Sequence, residues 1–377
     1  MSSTTMSPVK VGIIGYGNSA RVFHLPHILS VPELSLVAFF QRARASNDDK
    51  PKSSDDYPNC KHYHDFDKFL ADENIELVVV TTRDDSHADL SIAALEAGKN
   101  VVCEKPLGQT SEQVLRMLEA QKRSGKILFP FQNRRYDSDF RTVQRVIQSG
   151  ALGDIHEMAL HYDWDLPAWI AGMGDKPYTP GAGMMFGIGC HKLDQALALF
   201  GRPSTVTGFY RALRPGAGDS KIDDTFTIVL HYPKSGPHRN LEVVVKCNVI
   251  NKTKHQFAYF VRGTKGSFLK LGEDPQEAQV QSGMKPSDEG YGEEDEDIWG
   301  DLASEDRAND SQVKRGSLWC GKVKSEKGSW GMYYRDVAKA VRGDPVVVKA
   351  ETSADGIRII ELARESAEKG RSMVFEA

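Results

Sequence analysis

The chain has 377 residues, 40% hydrophobic and 27% charged, the balance of an ordinary globular protein long enough for two cores, which excludes disordered and collagen-like architectures. Its 48 Lys and Arg against 52 Asp and Glu leave a net charge of −4, and no basic block could neutralise a run of phosphates, so nucleic acid is not an expected partner. No apolar run approaches the roughly 20 residues that a membrane-spanning helix needs, so no membrane partner is expected either.

Residues 1–10 carry neither a basic nor an apolar leader pattern and read as a short disordered tail. Residues 9–14 form a short β-branched run that meets glycines at once and leads into a helix-like stretch through Ser30, a strand-to-helix unit. Further strands are expected at 34–40, 75–82, 100–103 and 127–131; the unbroken Leu-Val-Val-Val of the third predicts burial on both faces. Helices at 86–97 and 111–124 alternate with them, closed by Gly98 and Gly125. This alternation predicts a doubly wound parallel sheet over residues 1–131, an α/β Rossmann dinucleotide-binding domain.

The pattern then changes. Strands at 155–162, 205–213, 224–232, 241–249, 256–262 and 266–271 follow one another with little helix between, and several alternate apolar with polar residues. With helices at 191–200, 330–341 and 353–369, residues 132–377 are expected to form an α+β substrate-binding and dimerisation domain around a large, mostly antiparallel open sheet. The acidic, turn-rich stretch 288–312 reads as a solvated loop. Five cysteines, Cys60, Cys103, Cys190, Cys247 and Cys320, are odd in number and lack a C-x-x-C spacing, which predicts reduced thiols in a cytoplasmic protein and no metal site.

Gly15-Tyr16-Gly17-Asn18-Ser19-Ala20 fits G-x-G-x-x-A between a strand and a helix: a tight turn, close access for a pyrophosphate, and a small residue for helix packing. At the end of the second strand, where an acid usually holds the ribose 2′-hydroxyl, the chain reads Phe39-Phe40-Gln41-Arg42-Ala43-Arg44. Arg42 and Arg44 are either ligands of a 2′-phosphate, which favours NADP(H) over NAD(H), or plain surface arginines. The fourth strand ends in Cys103-Glu104-Lys105-Pro106, with the lysine at the carboxyl edge where such sheets bind ligands.

Together with Ala94-Leu-Glu-Ala-Gly98-Lys-Asn-Val-Val-Cys-Glu-Lys-Pro106, this pattern resembles the Gfo/Idh/MocA oxidoreductases. The resemblance continues through Asn133-Arg-Arg-Tyr136-Asp-Ser-Asp-Phe140, Pro180-Gly-Ala-Gly183, His191-Lys-Leu-Asp194, Arg214-Pro-Gly-Ala217 and Arg262-Gly-Thr-Lys-Gly-Ser-Phe268, and is strongest toward the NADP-dependent scyllo-inositol dehydrogenase branch. It implies that Lys105 exchanges a proton with the substrate oxygen and that the Lys–Pro bond is cis. It implies further that His191 binds the reacting oxygen or relays the proton. The nucleotide would be held by the glycine turn, Gln41, Arg42, Thr81, Thr82, His87, Glu104, Lys105 and Asn133, and the substrate by Tyr136, Trp164, Leu166, Gly187 and His191. His87 also reads as a plain helix-start residue, and His24 could face the cofactor. The family usually has an acid four residues before the histidine, where this chain has Gly187, and Trp164 and Leu166 make the expected pocket less polar. The implied activity is interconversion of a carbonyl and an alcohol on a small molecule. The alternative is a dinucleotide-binding regulator or sensor of the same fold with lost or altered catalysis. A homodimer, or a tetramer built from it, would cover the open sheet.

Overall fold

The computed structural model describes residues 7–42 and 51–376; Arg44 and most of the N-terminal tail lie outside them. The chain divides into two compact units. The first comprises Met1–Asn133, Gln276–Tyr291 and Ser329–Ala354, and the second Arg134–Pro275, Gly292–Gly328 and Asp355–Ala377.

The first unit holds a six-stranded parallel sheet of β1 (Val9–Ile14), β2 (Leu34–Phe40), β3 (Lys61–Tyr63), β4 (Leu77–Val80), β5 (Asn100–Cys103) and β6 (Leu128–Pro130), in the order β3-β2-β1-β4-β5-β6. That is the doubly wound order, whose reversal between β1 and β4 opens a crevice at the carboxyl ends of the strands. All four residues of β4 are buried, as the unbroken apolar run requires of a strand covered on both faces. The edge strand β3 was not expected: three residues are too few to show a period, and pairing with β2 creates the strand.

The stretch after the glycine turn is not one regular helix. A π-helical turn, Ala20–His24, precedes Leu25–Leu29, because Pro26 has no N–H to continue the ladder. The helices His87–Glu96 and Ser111–Ser124 end at Gly98 and Gly125 with φ of +77° and +66°. Thr110 caps the second helix by accepting from the Gln113 N–H at 3.2 Å. Helix Trp330–Val341 belongs to this unit, where Trp330, Tyr333 and Tyr334 are fully buried.

His27 is fully buried, and neither of its ring nitrogens has a partner among the described residues. Burial, with His24 adding to it, holds its pKa down at about 3. The unfolded chain takes up this proton from about pH 6.5 downward while the native protein resists until about pH 3, so stability falls as pH drops through that window. The loss amounts to roughly 5 kcal/mol at most. Denaturant midpoints measured against pH are expected to show it, and His27→Leu should remove about one proton from the acid limb.

The second unit is built on ten strands: β7 (Ile155–Asp163), β8 (Thr205–Arg211), β9 (Thr225–His231), β10 (Glu242–Asn248), β11 (Phe257–Gly263), β12 (Gly266–Leu271), β13 (Gly300–Ser304), β14 (Val313–Arg315), β15 (Leu318–Val323) and β16 (Met373–Val374). Their order is β14-β15-β13-β12-β11-β7-β10-β9-β8-β16, antiparallel throughout except for the parallel pair β7 and β10. Along β9 and β10 buried residues alternate with partly exposed ones, so one face is covered and the other open.

The expectation of a solvated loop at 288–312 is corrected. This stretch contributes β13, and the Glu294 side chain is fully buried against Lys270 at 2.8 Å. Ser138 and Ser325 each donate to that carboxylate at 2.6 Å. A buried ammonium in the sheet demands an anion, and that demand outweighs the solvation suggested by the acidic run. Among the described residues no helix is long and apolar enough to cross a membrane.

Candidate nucleotide cleft and catalytic residues

The glycine turn sits between β1 and the π-helical turn. Gly15 has φ of +96° and donates its N–H to the Phe40 carbonyl at 3.0 Å; a Cβ there would approach Thr81 Oγ1 at 3.0 Å and its carbonyl at 3.3 Å. Only glycine serves at that crossing of three strand ends. Gly17 and Asn18 are exposed, leaving backbone accessible at the turn, while Ala20 is fully buried against the sheet. Thr81 is committed inward: its hydroxyl and its N–H both donate to the Ile14 carbonyl, at 2.9 and 3.0 Å.

Beside the turn lies a cleft of about 740 Å³, lined by Gly15, Tyr16, Gln41, Arg42 and Thr82 among the expected residues. That volume suits a small-molecule or cofactor site. The Tyr16 ring lies edge-on to Phe39 and Tyr57, and its hydroxyl donates to Asp56 at 2.5 Å. Gln41 uses its amide oxygen to accept from Ser53 N and Oγ at 2.8 and 2.7 Å. No carboxylate or free amide oxygen of β2 is therefore offered at this corner, and Arg42 is exposed on the wall with no ion pair among the described residues. Arg83, Asp85, Ser86 and Leu90 also line the cleft, though the sequence reading did not select them. Their position just after β4 was the available signal, since ligands sit at the strand ends.

His87 is buried, with Nδ1 2.8 Å from the Pro106 carbonyl and Nε2 3.0 Å from the Thr82 carbonyl, so it ties together the segments after β4 and β5. Lys105, half-buried, follows β5, and its bond to Pro106 is cis. The carboxylate of Glu104 does not face outward: it accepts from Ser19, from the Lys105 N–H at 2.8 Å and from His24 at 3.1 Å. Burial alone would raise its pKa, but hydrogen bonds from His24 and Ser19 and the nearby charge of Lys105 hold it down at about 2. Asn133 is buried.

In the second unit His191 is the second residue of helix Cys190–Phe200 and is almost fully buried. Its helix is pinned from several sides. Asp194 takes a forked pair of bonds from Arg135 at 2.6 and 2.7 Å, and Gln195 donates to the Arg134 carbonyl at 2.8 Å. Lys192 donates to Tyr259 at 2.6 Å, and Tyr259 donates on to Gln195 at 2.9 Å. Gly187 lies in the π-helical turn Met185–Gly189 that leads into this helix. The turn is held by Asp223, which accepts from the Met185 N–H at 2.8 Å and from Arg364 at 2.8 Å. Burial pushes the Asp223 carboxyl up to about 6, against the pull of Arg364.

Tyr136 is buried. Trp164 packs between Tyr162 and Trp169 with ring centroids 4.7 and 5.7 Å away. Leu166 follows at φ of +35°, a costly conformation for leucine, stapled by its N–H to the Val249 carbonyl at 2.8 Å.

Residues 9–132 match the oxidoreductase family with an NAD-binding Rossmann fold, Gfo/Idh/MocA, and residues 140–269 match the GFO/IDH/MocA C-terminal domain. The scyllo-inositol 2-dehydrogenase (NADP(+)) IolW of Bacillus subtilis is 32% identical over 98% of this chain and 96% of its own. The chain belongs to the Gfo/Idh/MocA oxidoreductase family. An uncharacterised oxidoreductase of Schizosaccharomyces pombe is 39% identical over 79% of this chain and 80% of its own. A solved oxidoreductase from Bacillus cereus superposes with a TM-score of 0.85 at 30% identity, covering 98% of this chain and 99% of that one. As a member of this family the protein is an oxidoreductase with an NAD(P)-binding Rossmann domain and a mostly antiparallel second sheet.

Proposed function

We propose that the protein is an NADP(H)-dependent oxidoreductase that interconverts a carbonyl and an alcohol on a small polyol-like or less polar molecule, with Lys105 as proton carrier. The observation that carries the cofactor choice is the corner after β2: the Gln41 amide oxygen is taken by Ser53, and the exposed Arg42 lines the cleft. An exposed guanidinium with no acid beside it on the strand favours a 2′-phosphate over a bare ribose hydroxyl. The NADP(+) of the Bacillus subtilis scyllo-inositol 2-dehydrogenase supports this reading. NADPH is expected to bind at least about tenfold more tightly than NADH, a gap of about 1.4 kcal/mol, and Arg42→Ala should narrow it. Fluorescence titrations of both nucleotides test this; equal affinities in the unmutated protein would reject the assignment.

Bound nicotinamide supplies or accepts the hydride. In the reducing direction the Lys105 ammonium gives a proton from Nζ to the substrate oxygen as negative charge develops there; in the oxidising direction the neutral amine takes it back. For His191 the family resemblance supports a hydrogen bond to the substrate oxygen.

Gly187 favours a second reading, a nucleotide-binding sensor, because no carboxylate stands at that position. A Cβ there would meet the Met184 methyl at 2.8 Å and its sulfur at 3.6 Å, so a larger residue would require that flexible side chain to shift. A screen of NADPH oxidation against polyols, aldoses, ketones and enones separates the two readings, since turnover of any of them rejects the sensor.

We also place a homodimer interface on the open face of the second sheet, where Phe209 of β8 is 62% exposed. Light scattering at micromolar concentration is expected to give twice the 41.8 kDa chain mass or a multiple of that dimer, and a monomer would reject the interface.

A further inference from the structure

Four side chains of the first unit form one buried hydrogen-bonded chain. Tyr334 and His24 are fully buried, with the Tyr334 hydroxyl 2.5 Å from His24 Nδ1 and His24 Nε2 3.1 Å from Glu104 Oε1. Ser19, in the nucleotide turn, donates to the same Oε1, while Oε2 accepts the backbone N–H of Lys105 at 2.8 Å. The proton positions follow from chemistry. An ionised carboxylate only accepts, so Nε2 of His24 carries a hydrogen, and Nδ1 shares the second bond with the Tyr334 hydroxyl.

Aromatic packing fixes the orientation of this chain. Phe131 stacks on the His24 ring at 4.0 Å between centroids, and Tyr333, next to Tyr334 on the same helix, donates to the Pro130 carbonyl at 3.0 Å. Without the tyrosine hydroxyl, Nδ1 of His24 would lose its partner, and the ring would no longer be held where Nε2 meets the carboxylate. Glu104 would then shift and release the Lys105 amide.

We propose that Tyr334, His24 and Glu104 form a positioning relay that sets the backbone of Lys105 and joins it to the nucleotide turn through Ser19, a role that rests on Lys105 being the proton carrier. None of the three relay residues needs to touch substrate. Tyr334 anchors the ring through Nδ1, His24 orients the carboxylate, and the carboxylate holds the lysine at the end of β5.

The test uses the full chain with Tyr334→Phe, His24→Leu and His24→Gln. Amide exchange at Lys105 is expected to quicken about tenfold in the first two variants while the Asn100–Cys103 amides keep their rates. With the best substrate from the screen, kcat should fall about tenfold in His24→Leu and NADPH affinity should stay within about twofold. His24→Gln should recover most of both effects, because its amide still presents an N–H to Glu104. An unchanged Lys105 amide in both Tyr334→Phe and His24→Leu overturns the relay. So does acceleration of every β5 amide together with no recovery in His24→Gln, since that pattern reports packing alone. If Lys105→Ala turns over at the unmutated rate, the proton-carrier reading falls, and exchange at the Lys105 amide judges the relay independently.

Discussion

Lys105→Ala is expected to slow turnover by about 100-fold or more while NADPH affinity changes by less than about threefold. Removing the ammonium leaves the developing alkoxide without a positioned proton, and water must replace it without a fixed geometry. Nucleotide binding should survive because Gly15, Gln41 and Arg42 line the cleft, and the Lys105 backbone bond to Glu104 does not need its side chain. Lys105→Met, which keeps the bulk of the stem, should be as slow as the alanine variant if proton transfer is what is lost. Steady-state kinetics with saturating NADPH, paired with a binding titration, decide the matter. An unmutated rate in either variant would mean that the proton comes from another group or from water.

Lys270→Met is expected to cost the second unit about 3 kcal/mol or more, because it strands the Glu294 carboxylate in a site where both side chains are fully buried. Two serine hydroxyls at 2.6 Å remain, but they do not neutralise the charge. Calorimetry should show the transition of this unit lowered by about 6 °C or more. Glu294→Gln alone should also destabilise, since the ammonium then loses its counter-charge and keeps neutral acceptors, among them the Leu271 and Ile298 carbonyls at 2.8 and 2.9 Å. The double variant is expected to lose clearly less than the sum of the two, because removing both charges removes the unpaired one. Simple additivity would show that the pair is not coupled.

The two variants probe different kinds of information in the chain. Much of the first sheet is legible in sequence because its determinants are local: an apolar run too continuous for a half-exposed strand, glycines where helices stop, and a G-x-G-x-x-A turn between strand and helix. Gly15, Gln41, Arg42 and Thr82 converge on one cleft because a doubly wound sheet brings its strand ends to one edge. The long alternating strands of the second unit are local signals of the same kind.

Partnerships set by distance in sequence were not legible. Glu104 and His87 read as nucleotide ligands, yet their side chains are spent on His24, Ser19 and two backbone carbonyls. The partner that orders His24 is Tyr334, 310 residues later, on a helix that packs with the first unit. The run at 288–312 looked solvated by charge count alone, and became a strand and a buried anion because Lys270 lies beneath it. Sequence by itself determined most of the longer strands and helices, because backbone preference and hydrophobic period act over a few residues. Tertiary structure alone decided which polar side chains line the cleft and which are consumed inside. Burial forces each buried charge or ring nitrogen toward whatever partner the fold brings near, and no local pattern encodes that choice.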